Sequence, residues 1–323
     1  MTPNGLSAST HEGTVPAAVA ARGNRKAVEF STLFLLAATY VGWLVVTFNY
    51  SRWPLSLSAP LAAFFITLHM SLQHEIVHGH PTRWRGLNRL LVMLPLGLWL
   101  PYDCYRESHH KHHIDARLTD PLDDPESFYW RAEDLARQPL LGRLLLQAQQ
   151  TLLGRVLIGA FWTIGAFFYV ELLALWRGHP GRRALWLEHL VWCIPVIVWV
   201  KLVCGIPLWV YFLAMAVPGN AVQLIRSFAE HRAGATPSER IAVVERSWIL
   251  GPVFLFNNLH SLHHESPAIP WYELPRRYRE ERARLLAANG GLVYRGYLDV
   301  ARRYLFSAHD KLLHPTGRVP TRA

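Results

Sequence analysis

The 323-residue chain is 51% hydrophobic and only 17% charged, whereas soluble domains usually carry about 25% charged residues. This composition, together with 13 tryptophans, predicts an integral membrane protein, because tryptophan favours the interface between lipid and water. The net charge of +10 is then expected in cytoplasmic loops near anionic headgroups and not in a nucleic-acid site. The three cysteines are scattered along the chain, which argues against a disulfide framework.

The first segment of the chain is polar and rich in small residues, and it lacks the apolar stretch of a signal peptide. We predict that residues 1–29 form a disordered cytoplasmic tail, which carries Arg22, Arg25 and Lys26 near its end. The membrane domain is expected to begin at residue 30.

Apolar segments follow that approach the length of about 20 residues needed to span a bilayer. They are 30–48, 54–73, 152–176, 184–204 and 206–225. The first two are predicted to form one hairpin, and the last two a second hairpin around Gly205. Segment 87–101 is too short to cross and contains Pro95, so we expect it to be interfacial or re-entrant.

The distribution of arginine indicates which of these segments cross. Loops rich in lysine and arginine favour the cytoplasm. If segment 152–176 crossed, both RGHPGRR (177–183) and the arginine-rich stretch after residue 225 would face outward. We therefore predict an all-α integral membrane protein with four transmembrane helices in two hairpins. Segment 152–176 would lie along or dip into the inner leaflet, and both termini, interfacial helices and a histidine-rich cap would be cytoplasmic.

Three short segments on this cytoplasmic side hold histidines at helical spacing. HEIVH (74–78) has the i,i+4 spacing, and HHKHH (109–113) and HSLHH (260–264) have i,i+3,i+4, which presents imidazoles from one helix face. Neutral imidazole is the commonest metal ligand in proteins. The three boxes supply His74, His78, His109, His112, His113, His260, His263 and His264, and His231 in SFAEHR is a ninth candidate ligand.

The number of these histidines bears on how many metal ions they bind. A single zinc ion is ordinarily tetrahedral, so eight or nine imidazoles are too many for one such site. They suit two metal ions of higher coordination number, each with a position open for dioxygen. Imidazole ligands suit iron, copper, zinc and nickel alike, so the spacing does not choose among these metals.

HEIVH, HHKHH and HSLHH, with the order hairpin, box one, box two, hairpin, box three, resemble the membrane fatty acid desaturase and hydroxylase superfamily. The resemblance covers residues 30–275, which we take as a desaturase-like catalytic domain. FNNLHSLHH and the following PWYELPRRYR look most like bacterial acyl-lipid desaturases. The resemblance implies that the eight box histidines bind two non-haem iron ions that activate O2. It also implies that His231 is the extra histidine that the superfamily places before box three.

The resemblance also implies an activity and partners. The reaction that the resemblance implies is desaturation of a fatty acyl chain of a lipid or acyl carrier; hydroxylases, ketolases and oxidative decarboxylases share the same boxes and remain alternatives. The sequence contains no flavin, ferredoxin or Rossmann motif, so electrons are expected from a separate protein, a ferredoxin or similar carrier. Acidic residues next to the boxes are candidates for orienting the ligand histidines. They are Glu75, Glu107, Asp115 and Glu265.

Two other classes of protein remain as alternatives. HEIVH matches the HExxH signature of zinc proteases, in which Glu75 would be the general base and DPLDDP (120–125) could offer an acidic ligand. That hypothesis leaves both HxxHH boxes without a role. A membrane scaffold or receptor with incidental histidines would be expected to lack one of the ligand positions, and none is replaced.

The last segment, 276–323, is predicted to be a basic cytoplasmic tail with amphipathic helices. A helix of this kind favours the surface of an anionic membrane. The alternative is that Arg276, Arg277 and Arg279 dock an acidic electron donor.

Overall fold

The structure, a computed structural model, describes residues 28–315 of the chain. The predicted tail 1–29 therefore lies almost entirely outside the described residues. Within the described range the chain is mostly helical, and its two short strands, β1 (Val243–Val244) and β2 (Val293–Tyr294), pair in parallel. The helices are α1 (Phe30–Phe48), α2 (Leu55–Val77), α3 (Arg85–Leu91), α4 (Tyr102–His112), α5 (Ala132–Ala136), α6 (Leu140–Ala148), α7 (Leu152–Trp176), α8 (Arg182–Val203), α9 (Leu208–Glu230), α10 (Leu250–Val253), α11 (His260–Glu265), α12 (Leu274–Ala288) and α13 (Tyr297–Tyr304).

Helix α2 is the central element, and it packs closely against α1 and α9. A Cβ atom at Gly42 of α1 would lie 2.1 Å from the ring of Phe65, and one at Gly219 of α9 would lie 2.8 Å from Ile66. The hydroxyl of Thr67 also donates a hydrogen bond to the carbonyl of Gly219, at 3.0 Å. Small residues thus let the backbones approach, as in other packed membrane helices.

Polar contacts join the helices at the end far from the histidine boxes. The indole N–H of Trp43 donates to the hydroxyl of Tyr211 at 2.9 Å, and that of Trp199 donates to the hydroxyl of Thr47 at 2.9 Å. The ends of α1 and α8 and the beginning of α9 therefore meet at one level. Tryptophan and tyrosine are the residues that favour such an interfacial level in membranes.

The segment predicted to be interfacial or re-entrant, 87–101, enters the helix bundle. Its short helix α3 ends at Leu91, whose carbonyl accepts a hydrogen bond from the hydroxyl of Tyr40 at 2.8 Å. The carbonyl of Leu96 then accepts one from Tyr211 at 2.6 Å. These partners satisfy carbonyl groups that turns expose, which an apolar environment requires.

In the described part of the chain, five helices are long and apolar enough to cross a membrane, by length and composition alone: α1, α2, α7, α8 and α9. The sequence predicts four spans, and α7 is the additional one. The backbone N–H of Leu153, at the beginning of α7, lies 3.2 Å from the carbonyl of Leu305, a residue of the cap. At the other end, Glu171 lies 3.5 Å from Arg182, which also pairs with Glu107 of α4 at 3.0 Å.

The cap is built from the segments between and after the long helices. Val243 and Leu262 share a buried cluster with Leu285 of α12, and Phe254 shares another with Val300 of α13. Helices after residue 275 thus contribute side chains to the same buried clusters as the histidine-rich segments, and the division at that residue remains a prediction from sequence.

Candidate metal centre

The three histidine boxes and His231 all lie at or beside the ends of helices on one side of the molecule. Helix α2 ends at Val77, so HEIVH occupies its last turn and His78 caps it. Box two is the last turn of α4, and box three forms α11. His231 immediately follows the end of α9 at Glu230. The helices thus point their ends at a common site.

The nine predicted histidines come together in two groups, each with its ligand atoms within 4.8 Å of one another. The five-histidine group is His74, His78, His109, His113 and His263. The four-histidine group is His112, His231, His260 and His264. His113 and His264 stack with ring centroids 4.3 Å apart, so the two groups are neighbours.

Each HxxHH box contributes to both groups. In box two, His109 and His113 belong to the five-histidine group and His112 to the four-histidine group. In box three, His260 and His264 belong to the four-histidine group and His263 to the other. The first and last histidines of each box, at i and i+4, share a helix face, whereas the histidine at i+3 points about 100° away from the one at i+4. Box two therefore gives two histidines to the five-histidine group and one to the four-histidine group, and box three does the reverse.

The Nε2 atoms within each group converge at close distances. In the five-histidine group, Nε2 of His109 lies 3.0 Å from that of His78 and 3.0 Å from that of His113. In the four-histidine group, Nε2 of His231 lies 3.0 Å from that of His112 and 2.9 Å from that of His260.

The opposite ring nitrogens of five of these histidines face hydrogen-bond acceptors. Nδ1 of His112 lies 2.9 Å from Asp124, that of His109 lies 3.1 Å from Glu126, and that of His264 lies 3.1 Å from Asp115. Nδ1 of His231 faces the carbonyl of Arg240 at 3.2 Å, and Nδ1 of His260 faces the backbone carbonyl of Asn257 at 3.2 Å. An acceptor at Nδ1 places a proton there, so in the neutral ring Nε2 carries the lone pair.

Lone pairs that converge at such distances repel one another unless a cation lies between them. The residues present therefore fit metal ions, one in each group, bound through Nε2 with carboxylates or carbonyls behind the rings. Imidazole donors suit iron, copper, zinc or nickel, and the geometry does not distinguish these metals.

The electrostatics of box two agree with this arrangement. Burial favours neutral His112, but Glu126 and Asp124 outweigh it and raise the pKa of His112 to about 9. Burial also opposes ionisation of Glu126, yet His112 and His109 lower the pKa of its carboxyl below the usual value. In the metal-free chain a proton on His112 thus occupies a place where a metal cation would lie.

The carboxylates behind the histidines were only partly predicted. The contact of Asp115 with His264 confirms one of the four candidates. The prediction is wrong for Glu107 and Glu265, which pair with Arg182 at 3.0 Å and with Arg284 at 2.8 Å. Sequence reasoning missed Asp124 and Glu126 as orienting carboxylates. The acidic run DPLDDPE (120–126) shortly after box two was the available signal for both.

Asn257 connects the two groups. Its Nδ2 lies 3.3 Å from Nε2 of His74, and its Oδ1 lies 3.3 Å from Nδ1 of His260. The neighbouring Asn258 instead donates to the carbonyl of Val244 at 2.7 Å, which holds the segment before box three in place. Asn257 is therefore in a position to support one predicted ligand of each group.

Glu75, the middle residue of the HExxH motif, lies in a separate group with Glu29 and His80. Its Oε1 accepts a hydrogen bond from the backbone N–H of Trp271 at 2.9 Å. A protease general base would have to face the metal-bound face of the two histidines. Here the carboxylate connects box one to the segment after box three.

Histidines outside the boxes have other roles. His110 is exposed and belongs to neither group among the described residues. His69 is buried with Nε2 3.1 Å from the hydroxyl of Tyr40, and Nε2 of His189 lies 3.0 Å from the carbonyl of Leu98. These contacts give both buried rings a hydrogen-bond partner outside the two groups. His11 lies outside the described residues.

The family model described as fatty acid desaturase matches residues 51–297 of the chain, which is more than half of its length and includes all nine histidines. No curated protein matches the chain.

Proposed function

Because the chain belongs to the fatty acid desaturase family, we propose that it is an O2-dependent di-iron oxidoreductase that desaturates a fatty acyl chain of a lipid or acyl carrier. The observation that carries the proposal is the convergence of the nine histidines in two adjacent groups. Hydroxylation of an acyl chain is the second candidate, because hydroxylases of the superfamily use the same boxes. The position of Glu75 in a group with Glu29 and His80 does not support the zinc protease hypothesis.

We propose that one iron ion binds to the five-histidine group and one to the four-histidine group. When bound, the two ions would supply activation of O2 and removal of hydrogen from an unactivated C–H bond. The carboxylates of Asp115, Asp124 and Glu126 would hold the imidazole rings in the ligating orientation. Buried side chains around the histidines would keep bulk water from the reacting carbon.

Electrons would come from a separate donor protein at the surface of the cap. Of the three carboxylates behind the histidines, Asp115 is the most exposed, at 48% of its side chain, so His264 has the most direct connection to water. The exposed face of nearby α12 carries Arg276, Arg277 and Arg279, which supports an acidic carrier such as a ferredoxin.

We propose four transmembrane helices, α1, α2, α8 and α9, with α7 along or within the inner leaflet. Both ends of α7 contact residues on the side of the histidine boxes. The first end contacts Leu305 of the cap. Near the other end, Glu171 pairs with Arg182, which in turn pairs with Glu107 beside box two. A helix that crossed the membrane would separate its ends by the bilayer thickness of about 30 Å. The positive-inside rule then favours a cytoplasmic position for both termini and the site.

Metal content per chain tests this function first. The protein is expressed with iron and zinc both supplied, purified in detergent, and its metals are quantified by mass spectrometry. We expect close to two iron ions per chain, and one zinc ion without iron would overturn the di-iron proposal. Lipid profiling of expressing cells then separates the reactions, since a new double bond supports desaturation and a new hydroxyl group supports the second candidate.

A further inference from the structure

Five large apolar side chains of the cap are exposed although they lie outside the long helices. Trp248 is 85% exposed, Ile249 81%, Phe306 76%, Leu298 65% and Leu305 37%. Scattered exposed apolar residues are ordinary, whereas a contiguous apolar patch marks a surface that something covers. We call these five residues the Trp248–Phe306 patch.

Packing beneath the surface brings the three segments of the patch together. Leu250, which directly follows Ile249, packs in the same cluster as Tyr297 and Ala301 of α13. A Cβ atom at Gly296 would lie 3.5 Å from the carbonyl oxygen of Glu245. The turn at 247–249, the beginning of α13 and the residues that follow α13 are therefore neighbours.

The patch is continuous with the exposed apolar side of α7. The backbone N–H of Leu153 in α7 lies 3.2 Å from the carbonyl oxygen of Leu305. One turn and two turns further along α7, Leu157 is 59% exposed and Phe161 53% exposed. Helix α7 is apolar enough for lipid contact, so the same lipid would reach the patch without a break.

Charged residues around the patch are mainly basic. Arg246, Arg295, Arg302 and Arg303 are all exposed. The acidic residue in α13, Asp299, is held by Arg303 at 2.8 Å. An apolar surface with a basic rim is typical of an element that lies in the headgroup region of an anionic membrane.

We propose that the Trp248–Phe306 patch inserts into the headgroup region of an anionic leaflet, with the arginines at the phosphate level. Helix α13 and the 247–249 turn would then hold the cap against the lipid from which an acyl substrate comes. Helix α12 would not take part, because its exposed positions carry arginine, glutamate and alanine. The surface-helix prediction for 276–323 is thereby restricted to α13 and extended to the 247–249 turn.

Fluorescence quenching in nanodiscs tests the insertion directly. The full-length chain, with Cys104, Cys193 and Cys204 replaced by alanine, receives a single cysteine by Ile249→Cys or Phe306→Cys and an NBD label. Ala283→Cys on the exposed face of α12 is the matched control. In nanodiscs of phosphatidylcholine and phosphatidylglycerol, we expect doxyl lipids to quench the labels at 249 and 306, and aqueous iodide to quench them several-fold less than the label at 283.

Three outcomes would overturn the proposal. Labels at 249 and 306 that iodide reaches as easily as the label at 283 would place the patch in water. Labels shielded from iodide but not quenched by doxyl lipids would mean that a second copy of the chain covers the patch. Equal shielding in nanodiscs of phosphatidylcholine alone would remove the proposed role of the arginines. The labelled positions 249, 283 and 306 are exposed, and the three cysteine replacements are common to all labelled variants, so the comparison among labels does not depend on changes in packing.

Discussion

His112 and His113 are neighbours in sequence, yet they belong to different histidine groups. Consecutive residues of a helix point about 100° apart, so one step along α4 moves an imidazole from one group to the other. The same step separates His263 from His264 in α11. The HxxHH pattern is thus the means by which one helical turn serves two metal positions, and the loss of one imidazole is expected to disturb one group directly.

Replacement of a single proposed ligand tests the histidine assignments. We expect His112→Ala and His263→Ala each to abolish activity and lower bound iron, because each removes a ligand from a different group. Membrane insertion should be retained, since the helices that cross are unchanged. Iron per chain and product formation are the measurements. His110→Ala, in the same box but exposed and outside both groups, is the matched control and should keep full iron. Full activity of His112→Ala would remove that residue from the ligands.

Glu126 and Asp124, the carboxylates beside His112, contribute to the pH dependence of metal binding. The pKa of His112 is raised to about 9 in the metal-free chain, so a metal ion must displace a proton at neutral pH. Metal affinity is therefore expected to rise with pH up to that value. Asp124→Asn should lower the pKa of His112, move the plateau to lower pH, and reduce metal affinity by roughly 10–100-fold at high pH.

Cobalt(II) titration of the metal-free protein between mildly acidic and alkaline pH measures this effect. Glu107→Gln is the matched control, because Glu107 adjoins box two but pairs with Arg182 and not with a ligand. If the metal affinity of Asp124→Asn changed with pH in the same way as that of Glu107→Gln, the role given to Asp124 would be contradicted.

At the scale of elements, α7 illustrates the limits of composition. It is as apolar as the other long helices, and by length it could cross the bilayer. However, one end of α7 contacts Leu305 of the cap. The other end pairs with Arg182, which also pairs with Glu107 of α4, the helix that bears box two. Arginine distribution in the sequence and tertiary contacts at both ends support the same non-crossing arrangement by independent physical reasoning.

The side of the membrane reached by the α7–α8 turn decides between four and five spans. We expect a cysteine at His179, an exposed position of that turn, to react with an impermeant maleimide from the same side as one at Ala283 of α12. A cysteine at Ser51, in the exposed turn between α1 and α2, should react from the opposite side. Labelling of right-side-out and inverted vesicles makes the comparison. A His179→Cys variant that behaves like Ser51→Cys would mean that α7 crosses.

At the scale of the whole molecule, the two histidine groups join parts of the chain that are far apart in sequence. The four-histidine group combines α4, the end of α9 and α11, and the other combines α2, α4 and α11. A bound metal ion therefore stabilises the assembled bundle and cap but not the unfolded chain.

Metal removal should consequently lower the thermal stability of the entire chain. With free metal about 1,000-fold above its Kd, a metal ion contributes about 4 kcal/mol to folding, and a chelator removes that contribution. We expect chelated protein in detergent to unfold at a clearly lower temperature than metal-loaded protein. Size-exclusion chromatography after heating measures the fraction that remains folded at each temperature. His112→Ala should show a smaller difference between loaded and chelated samples. Identical unfolding with and without chelator would contradict a shared metal centre.

The sequence by itself determined the membrane class, the positions of the long helices to within a few residues, and the nine histidines that converge. These features depend on local physics, because apolar length and the i,i+3,i+4 spacing act within one helix. Only the tertiary structure decided how the histidines divide between two groups, and which carboxylates stand behind them. Asp124 and Glu126 could not be assigned in advance, because loop conformation determines which ring nitrogen each carboxylate reaches. The same reason applies to Glu107 and Glu265, whose closeness to the boxes in sequence does not bring them close to a ligand in space.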